Sequence, residues 1–248
     1  MAAIPSDAPR DVRSQRFATT QWSIVLAAAD ARTQVSRDAL AFLCERYWYP
    51  VYAHIRCRTD SVHDCQDLTQ GFFAHLLEKQ TIHRADPSRG RFRDFLSTAL
   101  RNFLANEWDK ARTARRASGT FELSLDFESG ETRYRIEPVH ELTPEKLFER
   151  RWLLTLLNEV LEGLRTELVD AGKSAYFEQF KSAITERTVA DDYSAAAVAL
   201  GITPAAAKQA AYRLRKRYRE LFRAEVARTV AREEDVDEEL VRLLKNFD

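Results

Sequence analysis

The chain has 248 residues, of which 45% are apolar and 31% charged, and its formal net charge is zero. Its three cysteines, an odd number, do not indicate a disulfide framework, and its apolar runs are shorter than the roughly 20 residues that a membrane-spanning helix needs. Since no charged-then-apolar leader opens the chain, we expect a soluble, cytoplasmic protein without a membrane segment.

Apolar residues recur at helical spacing along most of the chain, and only seven glycines and seven prolines occur, so the predicted fold class is all-α. Two helical domains joined by an acidic linker are expected. The predicted segments are an N-terminal extension with a short helix (1–35), a first helical domain (36–116), a linker (117–143), a second domain that ends in a helix-turn-helix (144–223) and an acidic tail (224–248).

Three helices are predicted in the first 80 residues. A short helix follows Thr20; a second is capped by Ser36 and reaches Pro50, where the chain is expected to bend. Ser61 caps the third. Its residues spaced for burial are Cys65, Leu68, Phe72 and Leu76.

A longer fourth helix is predicted from residue 91 to 116. Its apolar stripe consists of Phe92, Phe95, Leu96, Ala99, Leu100, Phe103, Leu104 and Trp108. Opposite the stripe lie polar and basic side chains, namely Arg101, Asn102, Asn106, Lys110 and Arg112. Asparagines near aromatic rings suit an unstacked base, although a core helix with a solvated outer face has the same pattern.

Residues 117–142 lose this periodicity and are acidic, so extended chain is predicted there. The second domain then begins with Thr143 as an N-cap and Pro144 at the first helical position. Near its end, Asp192 precedes a helix that stops before Gly201, and Thr203 caps the next one. This order is typical of a helix-turn-helix, whose second helix enters the major groove of DNA.

The zero net charge conceals two basic islands. Residues 89–116 have a balance of 8 − 3 = +5 and residues 204–223 one of 7 − 1 = +6, whereas residues 117–146 have 3 − 7 = −4 and residues 224–248 have 4 − 8 = −4. A helical wheel of the second island predicts a core side opposite an outward arc of Lys208, Gln209, Tyr212, Arg213, Arg215, Lys216 and Arg219. Two such surfaces favour a polyanionic partner over merely solvated helix faces.

The segments "DCQDLTQGFFAHLLE" (64–78) and "GRFRDFLSTALRNFLANEWDKARTARR" (90–116), followed by a linker and a C-terminal helix-turn-helix, resemble the extracytoplasmic-function sigma factors of bacterial RNA polymerase. The resemblance covers residues 36–116 and 144–223. Each motif is degenerate by itself, but their order and combination are specific.

The resemblance implies partners and a role for each surface. The partners are core RNA polymerase and promoter DNA, with an anti-sigma factor or a regulatory kinase as further candidates; no cofactor or metal is implied. Residues expected to bind core polymerase are Asp64, Asp67, Leu68, Gln70 and Phe73. Those expected at the −10 element are Arg101, Asn102, Asn106, Lys110 and Arg112, and those at the −35 element are Thr203, Lys208, Gln209, Tyr212, Arg213 and Lys216.

The polymerase-binding helix departs from the family pattern. Gly71 stands where many relatives carry an acid, and Cys65-Gln66 replaces a frequent Ala-Glu pair, so docking on a basic surface should be weaker. Phosphorylation of Thr69 would restore about −1.5 to −2 units of charge. The favoured alternative is that Thr69 is a half-buried spacer.

The sequence also bears on other classes of function. An enzyme is not expected, because the sequence contains no Gly-rich phosphate loop, nucleophile elbow or zinc-protease motif. His54, Cys57, His63 and Cys65 have metal-ligand chemistry but no standard zinc spacing. The main alternative is a dimeric helix-turn-helix repressor with an α-helical effector domain; a helical scaffold or anti-sigma-like protein is the third. The tail is expected to be a solvated terminal helix, the alternatives being an internal brake or a partner-binding segment.

Overall fold

The computed structural model describes residues 21–29, 34–78, 81–112, 125–136, 142–185 and 193–245. Within these ranges the chain forms α-helices and short 3-10 turns but no β-strand, which confirms the predicted all-α fold. The helices are α1 (Gln21–Ala29), α2 (Gln34–Arg56), α3 (Val62–Glu78), α4 (Phe92–Arg112), α5 (Phe127–Ile136), α6 (Pro144–Asp170), α7 (Ser174–Thr185), α8 (Ser194–Leu200), α9 (Pro204–Ala227) and α10 (Val236–Lys245). None of these helices is both long and apolar enough to span a bilayer.

The larger of two hydrophobic clusters is built around α2, which packs against α1, α3 and α6. The chain was predicted to bend at Pro50, but α2 continues through this proline to Arg56. A proline inside a helix costs about 3 kcal/mol. Val51, Tyr52 and Ile55, all fully buried, offset that cost, since each such side chain contributes about 1.5–3 kcal/mol.

A smaller cluster lies among α7, α8, the first half of α9 and the end of α6. The start of α6 is as predicted, because the Thr143 hydroxyl oxygen accepts a hydrogen bond from the Lys146 amide at 3.3 Å. Trp152 of this helix belongs to the larger cluster, and Leu164 belongs to the smaller one. One helix therefore serves both clusters, and the predicted domain boundary at residue 143 stays a prediction.

Part of the predicted linker is a docked helix, not extended chain. Residues 127–136 form α5, while residues 117–124 and 137–141 lie outside the described residues. The buried Glu131 carboxylate accepts hydrogen bonds from the Tyr52 hydroxyl at 2.6 Å and from Arg56 at 3.1 Å. Burial alone would raise the pKa of Glu131, but hydrogen bonds from Arg56, Tyr52 and Arg135 lower it below its ordinary value. A polar anchor of this kind leaves no apolar stripe in the sequence, so the prediction missed the helix.

Gly130 allows α5 to lie directly on α2. A Cβ atom at this position would come within 2.8 Å of the Trp48 ring, which is itself held edge-on against Phe127. We expect Gly130→Ala to destabilise the docking of α5 by about 1–3 kcal/mol, because the added methyl group overpacks the contact. Faster hydrogen exchange of the amides in 127–136 would measure this loss. The same change at the exposed neighbour, Ser129→Ala, should leave the exchange rates as in the wild type.

The C-terminal segment belongs to the core, so the expectation of a solvated terminal helix is wrong for residues 236–245. Val236 is 1% exposed and Leu243 is fully buried in the larger cluster. Glu239 is 2% exposed, and its carboxylate accepts hydrogen bonds from both Arg91 and Arg93. The helix docks because its apolar side and one acidic residue match the start of α4.

Candidate nucleic-acid interface

The turn between α8 and α9 has the geometry that its sequence predicts. Gly201 adopts a left-handed conformation with φ of 63°, and the Ile202 amide donates back to the Ala197 carbonyl at 3.0 Å. The Thr203 hydroxyl oxygen then accepts a hydrogen bond from the Ala206 amide at 3.2 Å, and Pro204 occupies the first helical position. Asp192, the predicted cap of α8, lies outside the described residues.

The six residues predicted at the −35 element are all exposed. At 100° per residue, the five that follow the cap lie within an arc of about 140° on α9. Ala207, Ala211 and Leu214 occupy the opposite side of the helix and are buried in the smaller cluster. The first half of α9 therefore presents a basic and polar surface to solvent while its other side holds it in place.

Two arginines at the edges of this surface have structural partners instead. Arg215, predicted to lie on the outward arc, donates from Nε to the Ala183 carbonyl of α7 at 2.7 Å and lies over the Tyr193 ring. That prediction was wrong, because the long side chain folds back over the cluster. Arg217 makes two hydrogen bonds to Glu167 of α6, at 2.7 and 2.9 Å. The outward surface of α9 therefore carries fewer available positive charges than the balance of +6 for residues 204–223 indicates.

The apolar stripe predicted on α4 is largely confirmed. Its fully or nearly fully buried members are Phe92, Leu96, Leu100, Phe103 and Leu104, while Phe95 and Ala99 are partly buried. Arg101, Asn102, Asn106 and Lys110 are exposed. Lys110, seven residues after Phe103, nevertheless lies on the same side of the helix as the stripe and not opposite it. Arg112 belongs to α4, but its side chain is outside the described residues.

The positive charge of the first basic island is only partly available at this surface. Arg93 is 1% exposed and pairs with Glu149 and Glu239, and Arg91 pairs with Asp94 and Glu239. Arg93 therefore lies in the protein interior, and Arg91, 26% exposed, is held at its edge by two carboxylates; the sequence predicted neither position. Lys110, further along α4, contacts the Glu107 carboxylate at 2.6 Å. The outward surface of α4 is therefore closer to neutral than that of α9.

Trp108 ends the predicted stripe but is 40% exposed. The Arg58 guanidinium lies 6.0 Å from the centre of its ring and also pairs with Glu145 at 2.9 Å. Arg101 lies two turns earlier on the same side of α4, since seven residues correspond to about two helical turns. An exposed indole with one arginine over its ring and a second two turns away on the same side is suited to stacking with a nucleobase. Sequence reasoning missed this cluster because Arg58 comes from the segment after α2.

The five residues predicted to bind polymerase differ in their exposure to solvent. Asp64 and Asp67 are exposed on α3, and Leu68 and Gln70 are half-buried. Phe73, however, is 3% exposed and packs against Phe72 in the larger cluster, so it does not belong to the outward surface of α3. Its position was misjudged because aromatic residues on adjacent positions cannot be assigned to one face from the sequence alone.

Thr69 is fully buried and not half-buried. Its hydroxyl donates to the Cys65 carbonyl at 2.7 Å, so phosphorylation at this position requires α3 to move away from the core first. A Cβ atom at Gly71 would lie 3.4 Å from the Phe103 ring, which is an ordinary van der Waals distance. Neither position lies free on the surface of α3.

Three of the side chains with metal-ligand chemistry, His54, Cys57 and Cys65, contact backbone carbonyls of the chain itself. His54 contacts the Pro144 carbonyl, and the thiols of Cys57 and Cys65 donate to backbone carbonyls. Across the described ranges, no group of three or more His, Cys, Asp or Glu side chains is placed to hold a metal ion.

Comparisons with models of protein families, with curated proteins and with solved structures found no match for this chain.

Proposed function

We propose that this protein is a bacterial sigma factor, which binds core RNA polymerase in the cytoplasm and directs it to promoters with −10 and −35 elements. The observation that carries the proposal is the exposed basic arc on α9, directly after a capped turn and opposite a buried side. The resemblance of residues 64–78 and 90–116 to sigma factors adds a second surface to this DNA reader.

Each surface has a chemical task under this proposal. Gln209 and Arg213 of α9 are of types that read base edges in the major groove, and Lys208 and Lys216 neutralise phosphates. On α4, Asn102 bonds the edge of an unstacked base, and the exposed Trp108 offers a ring for stacking. The exposed carboxylates of α3 face a basic surface of the polymerase.

Transcription in vitro tests the proposal. Core RNA polymerase is supplied with fragmented genomic DNA, with and without the protein, and the start sites of the transcripts are mapped. New discrete start sites that share two upstream motifs are expected. An absence of new transcripts together with an absence of core binding would sink the proposal.

A dimeric repressor remains the competing function. It predicts tight, specific binding to duplex DNA by the protein alone, on paired half-sites that match the two-fold axis of a dimer. A sigma factor predicts weak or no specific binding without core polymerase. Binding to duplex DNA, measured with and without the polymerase, therefore separates the two functions.

Arg213→Ala is expected to weaken binding of the polymerase-bound protein to a promoter found in this way by about tenfold. The reason is that one charge-assisted contact to a base or phosphate is lost, which should also lower the salt-dependence slope by about 1 where the contact is to phosphate. Fluorescence anisotropy over a salt series measures both quantities. Arg165→Ala, which removes an exposed arginine of α6 away from the arc, should leave both unchanged; equal losses in the two variants would contradict a specific role for Arg213.

A further inference from the structure

An exposed indole marks the side of α4 that meets the residues just after α2. Trp108 is 40% exposed and belongs to neither hydrophobic cluster of the described residues. The Arg58 guanidinium lies 6.0 Å from the centre of its ring. Packing in the core therefore does not account for the indole, and its uncovered surface offers a flat ligand a place to stack.

A small residue leaves space beside this indole. At about 100° per residue, Arg101, Ala105 and Trp108 lie within an arc of about 60° on α4, and Ala105 is exposed. The helical rise places Arg101 and Trp108 about 10 Å apart along the axis. A base stacked between two flat groups needs about 7 Å, twice the roughly 3.4 Å spacing of stacked bases. Because Ala105 fills this gap with only a methyl group, one base fits there against the helix.

The charges around the gap favour an anion. Arg58 pairs with the Glu145 carboxylate at the start of α6, at 2.9 Å. Burial would raise the pKa of Glu145, but a hydrogen bond from its own backbone amide and the charges of Arg58 and Arg101 hold the pKa below its ordinary value. Two guanidiniums thus act on a single carboxylate. A phosphate at this position would compete with Glu145 for Arg58.

We propose that Arg58, Arg101, Ala105 and Trp108 form a binding site for one nucleotide. Its base stacks on the indole above Ala105, and its phosphate pairs with Arg58 and Arg101 in place of Glu145. The nucleotide is either free or part of a single strand, because a base inside a duplex is already paired and stacked. This inference rests on the proposed function for the origin of such a strand, which is a melted promoter.

Two fluorescein-labelled oligonucleotides test the site in the full chain by fluorescence anisotropy. One is a hexamer of deoxyadenosine, and the other has the same backbone with an abasic site at every position. The basic arc of α9 binds both backbones through their phosphates, so the ratio of the two affinities isolates the contribution of the bases. We expect the wild type to bind the hexamer about tenfold more tightly than the abasic strand, as stacking on one aromatic ring predicts.

Four variants assign this preference for bases to the site. Trp108→Ala removes the ring and Ala105→Leu fills the gap, so each should bring the ratio close to one. Ala175→Leu makes the same change at an exposed alanine of α7 and should keep the wild-type ratio. Glu145→Gln should strengthen binding of both strands several-fold, because Arg58 loses its competing carboxylate. Arg58→Ala, a fifth variant, should lower the salt-dependence slope by about 0.7, since one phosphate contact is lost.

Equal affinities of the wild type for the two strands would overturn the site, as would a preference for bases that persists in Trp108→Ala or Ala105→Leu. If Trp108→Ala fails to fold, Ala105→Leu decides. Displacement of the hexamer by deoxyadenosine monophosphate at a similar concentration supports the site with a free nucleotide as its ligand; displacement only far above that concentration supports it with a single strand.

The transcription experiment separates this inference from the proposed function. New transcripts from a protein that shows no preference for bases overturn the site and leave the proposed function standing. A preference that depends on Trp108 and Ala105, in a protein that yields no transcripts, supports the site although the proposed function fails.

Discussion

Replacing Arg93 with alanine is expected to lower the free energy of unfolding by about 3–5 kcal/mol, the cost of breaking a buried ion pair by removal of one partner. Arg93 is 1% exposed, and it pairs with both Glu149 and Glu239. Its guanidinium also lies 4.4 Å from the centre of the Trp152 ring. The variant leaves Glu239 buried with Arg91 as its remaining partner and opens a void above the indole. Urea unfolding at neutral pH, followed by circular dichroism, measures the change.

Two further variants serve as controls for the effect of Arg93→Ala on the free energy of unfolding. Arg89→Ala removes an arginine four positions earlier whose side chain is 83% exposed, and its effect should stay within about 0.5 kcal/mol. Arg93→Lys keeps the charge but has a single nitrogen to reach two carboxylates, so an intermediate loss is expected. A loss below about 1 kcal/mol for Arg93→Ala would contradict the view that this network holds α10 to the core.

Local signals in the sequence were sufficient to predict much of the helical architecture. Thr143 and Thr203 each cap a helix in which a proline follows at the first position, and both caps form hydrogen bonds as predicted. Such signals involve residues three or four positions apart, so the chain itself brings the partners together. The buried stripe of α4 and the outward arc of α9 follow from the same periodicity.

Long-range polar contacts were the part that the sequence could not reveal. Glu239 is 146 residues from Arg93, and Glu131 is 75 residues from Arg56, yet each carboxylate is buried on its arginine. An acidic residue in a charged segment looks the same in the sequence whether it meets solvent or a buried guanidinium. Consequently α5 was predicted as extended chain and α10 as a solvated helix, although both dock on the core.

In the candidate interface, too, contacts between distant residues could not be predicted from the sequence. Positions on the arc of α9 follow from helix geometry alone, and all six predicted residues are exposed. Arg215 and Phe73 were misjudged because their positions depend on packing against another helix, at Ala183 and in the larger cluster respectively. The pairing of Arg58 with Trp108 also depends on tertiary structure, since the two residues lie 50 positions apart.

The stability of this protein should fall as the pH is lowered from about 6.5 to 4, in part because of His54. This side chain is fully buried between α2 and the start of α6, and burial, helped by the nearby Arg58 charge, lowers its pKa to about 4. Nδ1 lies 3.0 Å from the Pro144 carbonyl, which can only accept, so Nδ1 carries the proton of the neutral ring. A second proton on Nε2 would be buried without an acceptor.

Stability falls as the pH falls because the unfolded chain binds a proton on His54 more tightly than the folded chain does. The unfolded chain takes up a proton on His54 near pH 6.5, whereas the folded chain resists it until about pH 4. The contribution of His54 to stability is therefore fully present above pH 6.5 and is lost as the pH falls, by about 3 kcal/mol in total. His54→Asn keeps a donor for the Pro144 carbonyl but cannot titrate. We expect the difference in unfolding free energy between the wild type and His54→Asn to change by that amount between pH 7 and pH 4. A constant difference over this range would show that His54 becomes protonated in the folded protein as easily as in the unfolded chain, and that the contact between α2 and α6 tolerates the charge.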